Sequence, residues 1–153
     1  MRKVNFRSFL KKVSIDVFTC GLIVSTAIPC NAAWRSTYTV KKNGHNLTAK
    51  ADLPYFSDWD GGGEWKSQSY YGKKVRLTNS WQFYSVGGSV NWNGVGLSGS
   101  GSNNGGSHSS KGTSNVVNAS GRVYSTGLCL YVGMISTASF SSGNSFYSVS
   151  TKI

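Results

Sequence analysis

Residues 37–51 read Thr37-Tyr-Thr-Val-Lys-Lys-Asn-Gly-His-Asn-Leu-Thr-Ala-Lys-Ala51. The central Asn43-Gly44 is the dipeptide preferred in a two-residue type I′ turn, which joins two antiparallel strands. That turn places Lys42 opposite His45, Val40 opposite Leu47 and Tyr38 opposite Ala49. Because alternate residues of a strand point to the same side, the last two pairs form an apolar face. The stretch therefore predicts a β-hairpin with one buried face.

Apolar residues alternate with polar ones along much of the remaining chain, and helix signals are nearly absent. Leu128–Ala138 is apolar on both faces, which predicts a central strand covered on both sides. Phe146–Ile153 predicts the last strand. The other predicted strands run through Val75, Leu77, Trp81 and Phe83, with a bulge near Asn79, and through Val86, Val90 and Trp92. We expect an all-β fold, a single antiparallel β-sandwich or a partly open barrel, over residues 33–153.

One stretch differs in composition from its surroundings. Ser98–Asn115 reads SGSGSNNGGSHSSKGTSN and contains no apolar side chain. Such a segment has nothing to bury, so we expect an exposed loop or a weak, extended hairpin. A linker between two domains is the other reading. The flanking segments are each small for an independent core, so we prefer one domain with a long loop.

The first 32 residues have the order of a secretory signal peptide. A basic region ends at Lys12, an apolar run covers Val13–Ile28, and the small residues Ala32 and Ala33 follow. We expect cleavage after Ala32, with cleavage after Ala33 as the alternative. No other run is long enough for a membrane helix. The sequence thus predicts a bacterial protein that is secreted or associated with the cell envelope, without a transmembrane segment after cleavage.

Removal of residues 1–32 changes the cysteine and charge balance. Cys20 and Cys30 leave with that segment, so Cys129 stands alone and an intramolecular disulfide is excluded. Eleven basic and four acidic residues remain, a net charge of about +7. No Asp or Glu follows Glu64. A surface of this kind attracts anionic polymers or membranes.

Three of the five acidic residues of the chain lie in the segment DWDGGGEW, residues 58–65. Asp58, Asp60 and Glu64 around a glycine run resemble an oxygen-rich calcium loop, although such a loop needs a further inward ligand and a later bidentate Glu. A glycosidase carboxylate pair needs a rigid cleft rather than one flexible turn. We expect a solvated turn and no cofactor. Calcium at these three residues is the alternative, and an exported cell-wall or glycan hydrolase using them is the alternative function.

A cationic aromatic segment lies between Tyr55 and Arg76. Rings beside cations suit sugars, glycopolymer phosphates or a lipid headgroup zone, although a small β domain also needs aromatic rings in its core. Single-stranded nucleic acid would fit the same chemistry, but export makes it the poorer target. The candidate binding residues are Trp59, Trp65, Lys66, Tyr70, Tyr71, Lys73, Lys74 and Arg76.

No catalytic residue is predicted. Cys129 lies in an apolar strand, and neither His45 nor His108 has an obvious acidic partner, which a Cys–His nucleophile would need. In general make-up the chain resembles the lactococcin-type secreted bacteriocins, and Gly61–Trp65 and His108–Ser110 carry that resemblance. The motif spacing differs, so no residue role is taken from that family. We expect a non-catalytic, bacteriocin-like antagonist or cell-envelope binding protein whose partner is an anionic wall polymer, glycan or lipid surface.

Overall fold

The computed structural model describes residues 34–94 and 104–153. The predicted signal peptide falls on residues 1–32 and lies outside the described residues. Apart from one 3-10 turn, Phe56–Asp58, the regular structure described is entirely β, which confirms the predicted fold class. The strands are β1 (Ser36–Lys42), β2 (His45–Asp52), β3 (Gly63–Val75), β4 (Leu77–Gly94), β5 (Gly105–Ser109), β6 (Ser114–Ser142) and β7 (Ser145–Lys152).

The first hairpin forms in the predicted register. Lys42 pairs with His45, and the pairing continues through Val40 with Leu47 to Ser36 with Ala51. Asn43 and Gly44 both have positive φ, 47° and 79°, as a type I′ turn requires. Leu47 and Ala49 are fully buried, whereas Tyr38, at the start of the predicted apolar face, is 55% exposed. The hairpin therefore buries the inner face of β2 and leaves β1 at the edge of the sheet.

All seven strands belong to one antiparallel sheet in the order β1-β2-β3-β6-β4-β5, with β7 also pairing with β6. The long strand β6 joins the two parts of this sheet. Its first part pairs with β3, its last part pairs with β7, and residues 121–140 pair with β4. The sheet is not closed into a barrel.

The sheet folds over on itself, which gives a sandwich-like structure. Inward side chains of β4 switch from odd positions such as Trp81 to even positions such as Trp92, and the pairing with β6 is irregular between Val86 and Ser89. The rings of Trp81 and Trp92 then face each other with centroids 5.5 Å apart. The two halves of β4 therefore cover opposite sides of one core.

Two expectations about these strands are wrong. The pairing of β4 is regular through Asn79, so no bulge lies there; the irregularities come between Tyr70 and Val75 and between Val86 and Ser89. Leu128–Ala138 is a central part of β6 but is not covered on both faces. Leu128 and Leu130 are exposed and only the later apolar residues of that range are buried, because the strand passes around the fold in the sheet before it enters the core.

Part of the Ser/Gly-rich stretch is structured. Residues 98–103 lie outside the described residues, but Gly105–Ser109 forms β5 and pairs with β4 from Thr78 to Gln82. A Cβ atom on Gly106 would lie 2.8 Å from Trp81 Cζ2 and 3.0 Å from Trp92 Cη2. Where an exposed loop or a weak, extended hairpin was expected, residues 105–109 form a strand of the main sheet, because the absence of a side chain at Gly106 lets the backbone lie directly on two rings.

The core has two adjoining clusters. The larger contains the tryptophans Trp65, Trp81 and Trp92 with Phe83, and the smaller contains Tyr71, Leu77 and Phe140. Tyr71 and Phe140 lie with ring centroids 4.2 Å apart. Within residues 34–94 and 104–153 no helix is long and apolar enough to cross a membrane.

Candidate functional site

Six cationic residues come together where several turns meet, and we call this region the basic end. Its members are Lys41, Lys42, Lys73, Lys74, Arg76 and Lys111. Lys41 and Lys42 are the last residues of β1, next to the Asn43-Gly44 turn. The others come from the end of β3, from the link between β3 and β4, and from the loop between β5 and β6.

Hydrogen bonds bring these segments to the same place. The Tyr71 hydroxyl donates to the Lys42 carbonyl oxygen over 3.0 Å, which ties the end of β3 to the hairpin turn. Lys73 and His45 line one small cleft there, of about 110 Å³. The amide of Ser110 donates to the Leu77 carbonyl oxygen over 2.9 Å. Lys111 follows Ser110 and Arg76 precedes Leu77 in the sequence, so this bond brings the two cations to the same region.

The basic end is open to solvent and unopposed by acid. Five of the six cations are exposed and Lys42 is half-buried. The pKa of Tyr147, at the neighbouring β6–β7 turn, is lowered by hydrogen bonds from Asn43 and Ser145 and by the positive charge of Lys42. The Tyr147 hydroxyl is thus easier to ionise, mainly because two hydrogen bonds stabilise its anion and in smaller part because of the charge of Lys42.

The four acidic residues that remain after residue 32 all lie in Asp52–Glu64, at the other end of β3. There Asp52 pairs across strands with Lys66, and Glu64 with Arg122. This end therefore carries charges of both signs, while the basic end carries one sign only. The protein is electrically polarised along its strands.

The structure does not assemble Asp58, Asp60 and Glu64 into a site. All three are exposed, and Asp58 accepts a hydrogen bond from the Ser57 hydroxyl over 2.9 Å. In the described part of the chain no group of three or more His, Cys, Asp or Glu side chains could hold a metal ion. Neither the small cleft at the basic end nor the cleft on the outer face of β3 and β6 is lined by these carboxylates.

The predicted binding residues divide into three groups. Trp65 and Tyr71 are 0% and 1% exposed and belong to the core, so they offer a ligand no surface. Trp59 is half-buried beside Phe56, with ring centroids 5.0 Å apart, and donates from Nε1 to the Pro54 carbonyl oxygen over 3.3 Å. Tyr70 is half-buried on the outer face of β3.

The remaining four candidates are exposed cations, but they do not lie together. Lys73, Lys74 and Arg76 belong to the basic end, whereas Lys66 is exposed near the start of β3, opposite Asp52. Lys41, Lys42 and Lys111 were missed by sequence reasoning. The hairpin register could have indicated the first two, but only tertiary structure brings Lys111 to Arg76.

A second feature, separate from the basic end, is a cleft of about 300 Å³ on the outer face of β3 and β6. It is lined in part by Trp34 and Lys66, and we call it the Trp34 cleft. Gln68 Nε2 donates to Asn118 Oδ1 over 2.9 Å on its floor. The ammonium of Lys50 lies 5.7 Å from the Trp34 ring centroid. A ring wall beside amides and an ammonium is a polar–aromatic arrangement that suits a sugar ring.

Neither histidine is placed to activate the thiol of Cys129. Cys129 is half-buried at the fold in the sheet, where its thiol donates to the Tyr131 carbonyl oxygen over 3.3 Å. His45 lies at the basic end against Tyr71, and His108 lies on β5 opposite Asn79. A Cys–His nucleophile would need the two side chains in hydrogen-bond reach.

Comparison with models of protein families, with curated proteins and with solved structures gives no match for this chain.

Proposed function

We propose that this is an exported, non-catalytic protein whose basic end binds an anionic surface outside the cell. It acts as a bacteriocin-like antagonist or as a cell-envelope binding protein. The observation that carries the proposal is the basic end itself, six cations with no acid among them on a protein whose four acids lie at the other end. A wall polymer or an anionic leaflet would meet only positive charge there.

The magnitude of this attraction is sufficient for function. A Lys or Arg near an anionic membrane surface contributes about 1 kcal/mol, so six together can hold the protein at such a surface. The attraction depends on ionic strength, because exposed charges more than about 8–10 Å apart are screened at physiological salt. The Trp34 cleft favours a glycan as part of the target, since it offers a ring face and amide groups at a separate position.

The test compares two variants of equal net charge. In the first, Lys73 and Lys74 are replaced together by Ala; in the matched control, Arg35 and Arg122 are replaced together by Ala. Binding to purified anionic wall polymer and to anionic vesicles is measured over a salt series. We expect the first variant to lose about 2 kcal/mol, roughly thirtyfold in affinity, with a shallower salt dependence. The control should lose much less, and Lys152→Ala alone should change little.

Equal losses in the two variants would show that net charge, rather than the basic end, governs binding. No binding of the wild-type protein at low salt would overturn the proposal. Added to Gram-positive cells, the protein should sediment with them, and cell survival then separates the two roles. Binding with killing selects the antagonist, and binding without killing selects the envelope protein.

A further inference from the structure

Four apolar side chains are exposed where the sheet folds over, and we call this region the apolar bend. Leu128 and Leu130 are 84% and 70% exposed, and Val86 and Tyr131 are 54% and 40% exposed. They come from β4 and β6, where Val86 pairs with Tyr131 and Gly87 pairs with Cys129. The bend lies midway along the β4–β6 ladder, which runs from Leu77 with Phe140 near the basic end to Gly94 with Gly121.

The fold forces this exposure. Gly87, Gly88 and Gly127 have φ of 71°, 46° and 78°, a left-handed conformation that favours glycine. A Cβ atom on Gly87 would lie 2.4 Å from the Leu128 carbonyl oxygen, so the two strands approach too closely there for a side chain. Both strands turn at these glycines, and Leu128 and Leu130 are left on the convex side. The leucines therefore cannot turn into the core without breaking the ladder.

The pairing of the two strands at the apolar bend is interrupted. β4 and β6 pair there at Val86 with Tyr131, Gly87 with Cys129 and Ser89 with Thr126, and the register shifts between these pairs. Leu128 and Leu130 lie where the register shifts. Unpaired peptide groups are costly in a hydrocarbon core, so lipid contact at the bend has to be shallow, where water and headgroups can bond them.

The groups around the bend are those found at membrane interfaces. The hydroxyls of Tyr84 and Tyr131 lie 3.4 Å apart, and Tyr84 also donates to the Ile153 carbonyl oxygen. The ammonium of Lys152 lies 4.5 Å from the Tyr84 ring centroid. Tyrosine and lysine beside an apolar tip form the usual interfacial anchor. No acidic residue occurs on β4, β6 or β7 to oppose insertion.

A second copy of the chain is a less suitable occupant. Four side chains present an apolar area on the order of a few hundred Å², whereas a stable protein interface needs about 800 Å² on each partner. The surface is also convex, so two copies would touch at a small central area. We propose that the apolar bend inserts shallowly into the outer part of a lipid bilayer and anchors the protein there reversibly.

This proposal does not rest on the basic end, and its test excludes electrostatic attraction. In a Cys129→Ser, Val86→Cys background, an environment-sensitive dye is attached at position 86, which leaves both leucines in place. The probe membrane is neutral phosphatidylcholine vesicles at high salt. We expect dye emission to shift to shorter wavelength as vesicles are added. Leu128→Ser with Leu130→Ser should lower the vesicle affinity by about tenfold per leucine. Each replacement removes the favourable free energy of moving a leucine side chain from water into the lipid.

The matched control is Phe146→Ser. Phe146 is 68% exposed but lies at the start of β7, away from the bend, so its replacement should leave the dye response unchanged. Melting temperatures of the leucine and Phe146 variants should be near that of the labelled background, since Leu128, Leu130 and Phe146 are exposed. No shift on vesicles would overturn the proposal. A shift that grows with protein concentration and needs no vesicles would also overturn it, in favour of self-association.

Discussion

Asn79 is an amide in the middle of the core and is completely buried. Its Oδ1 accepts hydrogen bonds from the hydroxyls of Ser67 and Ser69, over 2.7 and 3.0 Å, and its Nδ2 donates to the Ser67 carbonyl oxygen over 3.1 Å. Ser67 also bonds to Ser136 on the opposite side of the sandwich, over 2.7 Å. One amide thus joins strands from both sides of the core.

We expect Asn79→Ala to destabilise the protein by about 2–4 kcal/mol, because it leaves two buried hydroxyls without their acceptor and creates a cavity. Urea unfolding followed by tryptophan fluorescence measures this cost. Asn46→Ala removes the same side chain from an exposed position on β2 and should cost less than about 0.5 kcal/mol. If the two variants unfold at the same urea concentration, the network contributes nothing to stability.

Residue types alone could not separate core from surface in the aromatic segment. Trp65 and Tyr71 sit among lysines in the sequence, yet both are buried because odd positions of β3 face inward. The alternation predicts this result once the strand phase is known. The sequence did not reveal which face of β3 is buried, because the polar residues Ser67 and Ser69 also face inward. Their hydroxyls donate hydrogen bonds to Asn79 Oδ1 there.

At the scale of elements, β5 shows how a strand without bulky side chains can stabilise a core. Its glycines lie on Trp81 and Trp92, so the strand covers these rings with backbone rather than with side chains. The pattern that predicted an exposed loop, a low-complexity run of Ser, Gly and Asn, contains no signal for this packing. The sequence feature that points to this packing is the presence of Trp81 and Trp92, whose large apolar rings have to be shielded from solvent by some other segment.

Gly106→Val should destabilise the protein by about 1–3 kcal/mol and change its tryptophan fluorescence, because the new side chain overlaps Trp81 and Trp92. Gly112→Val is the matched control, since a Cβ atom there meets no atom within 4 Å. Both are measured by thermal melting. A normal melting temperature for Gly106→Val would mean that β5 can leave the rings without cost.

The hairpin is the element that the sequence predicted best, because its register depends on a two-residue turn and local alternation. The turning of β4 and β6 was not predictable in the same way. It depends on glycines in two strands that are distant in sequence meeting at one place. Leu128–Ala138 looked like a covered central strand because apolar content does not say on which side of a bend a residue lies.

At the scale of the whole molecule, charge is separated along the strands, and the acidic segment remains the only place with several carboxylates. We expect millimolar calcium to leave the melting temperature unchanged, because Asp58, Asp60 and Glu64 are exposed and not arranged as ligands. An ion that bound only the folded protein would raise it. A rise that disappears in Asp60→Ala would show that the segment rearranges around calcium, contrary to this expectation.

Net charge could be counted from the sequence, but its separation could not. The acids are adjacent in sequence and so were expected to lie together. The basic end combines residues from β1, the end of β3, the β3–β4 link and the β5–β6 loop, and their meeting depends on pairings such as Leu77 with Phe140. Sequence reasoning therefore found half of the basic end and attached to it aromatic residues that the core requires.

The length of β6 has a consequence for how the chain folds. Gly63 pairs with Val123 and Leu77 with Phe140, so β3 and β4 are synthesised well before β6, the strand that both pair with. Of the pairings described, the β1–β2 and β6–β7 hairpins join neighbouring residues through two-residue turns, and the second of these is synthesised last. Pairings between distant residues are slow because the intervening chain must first be ordered. A chain of this topology therefore completes its fold only when nearly all of it is available, and a late-folding chain is what the export proposed above would require.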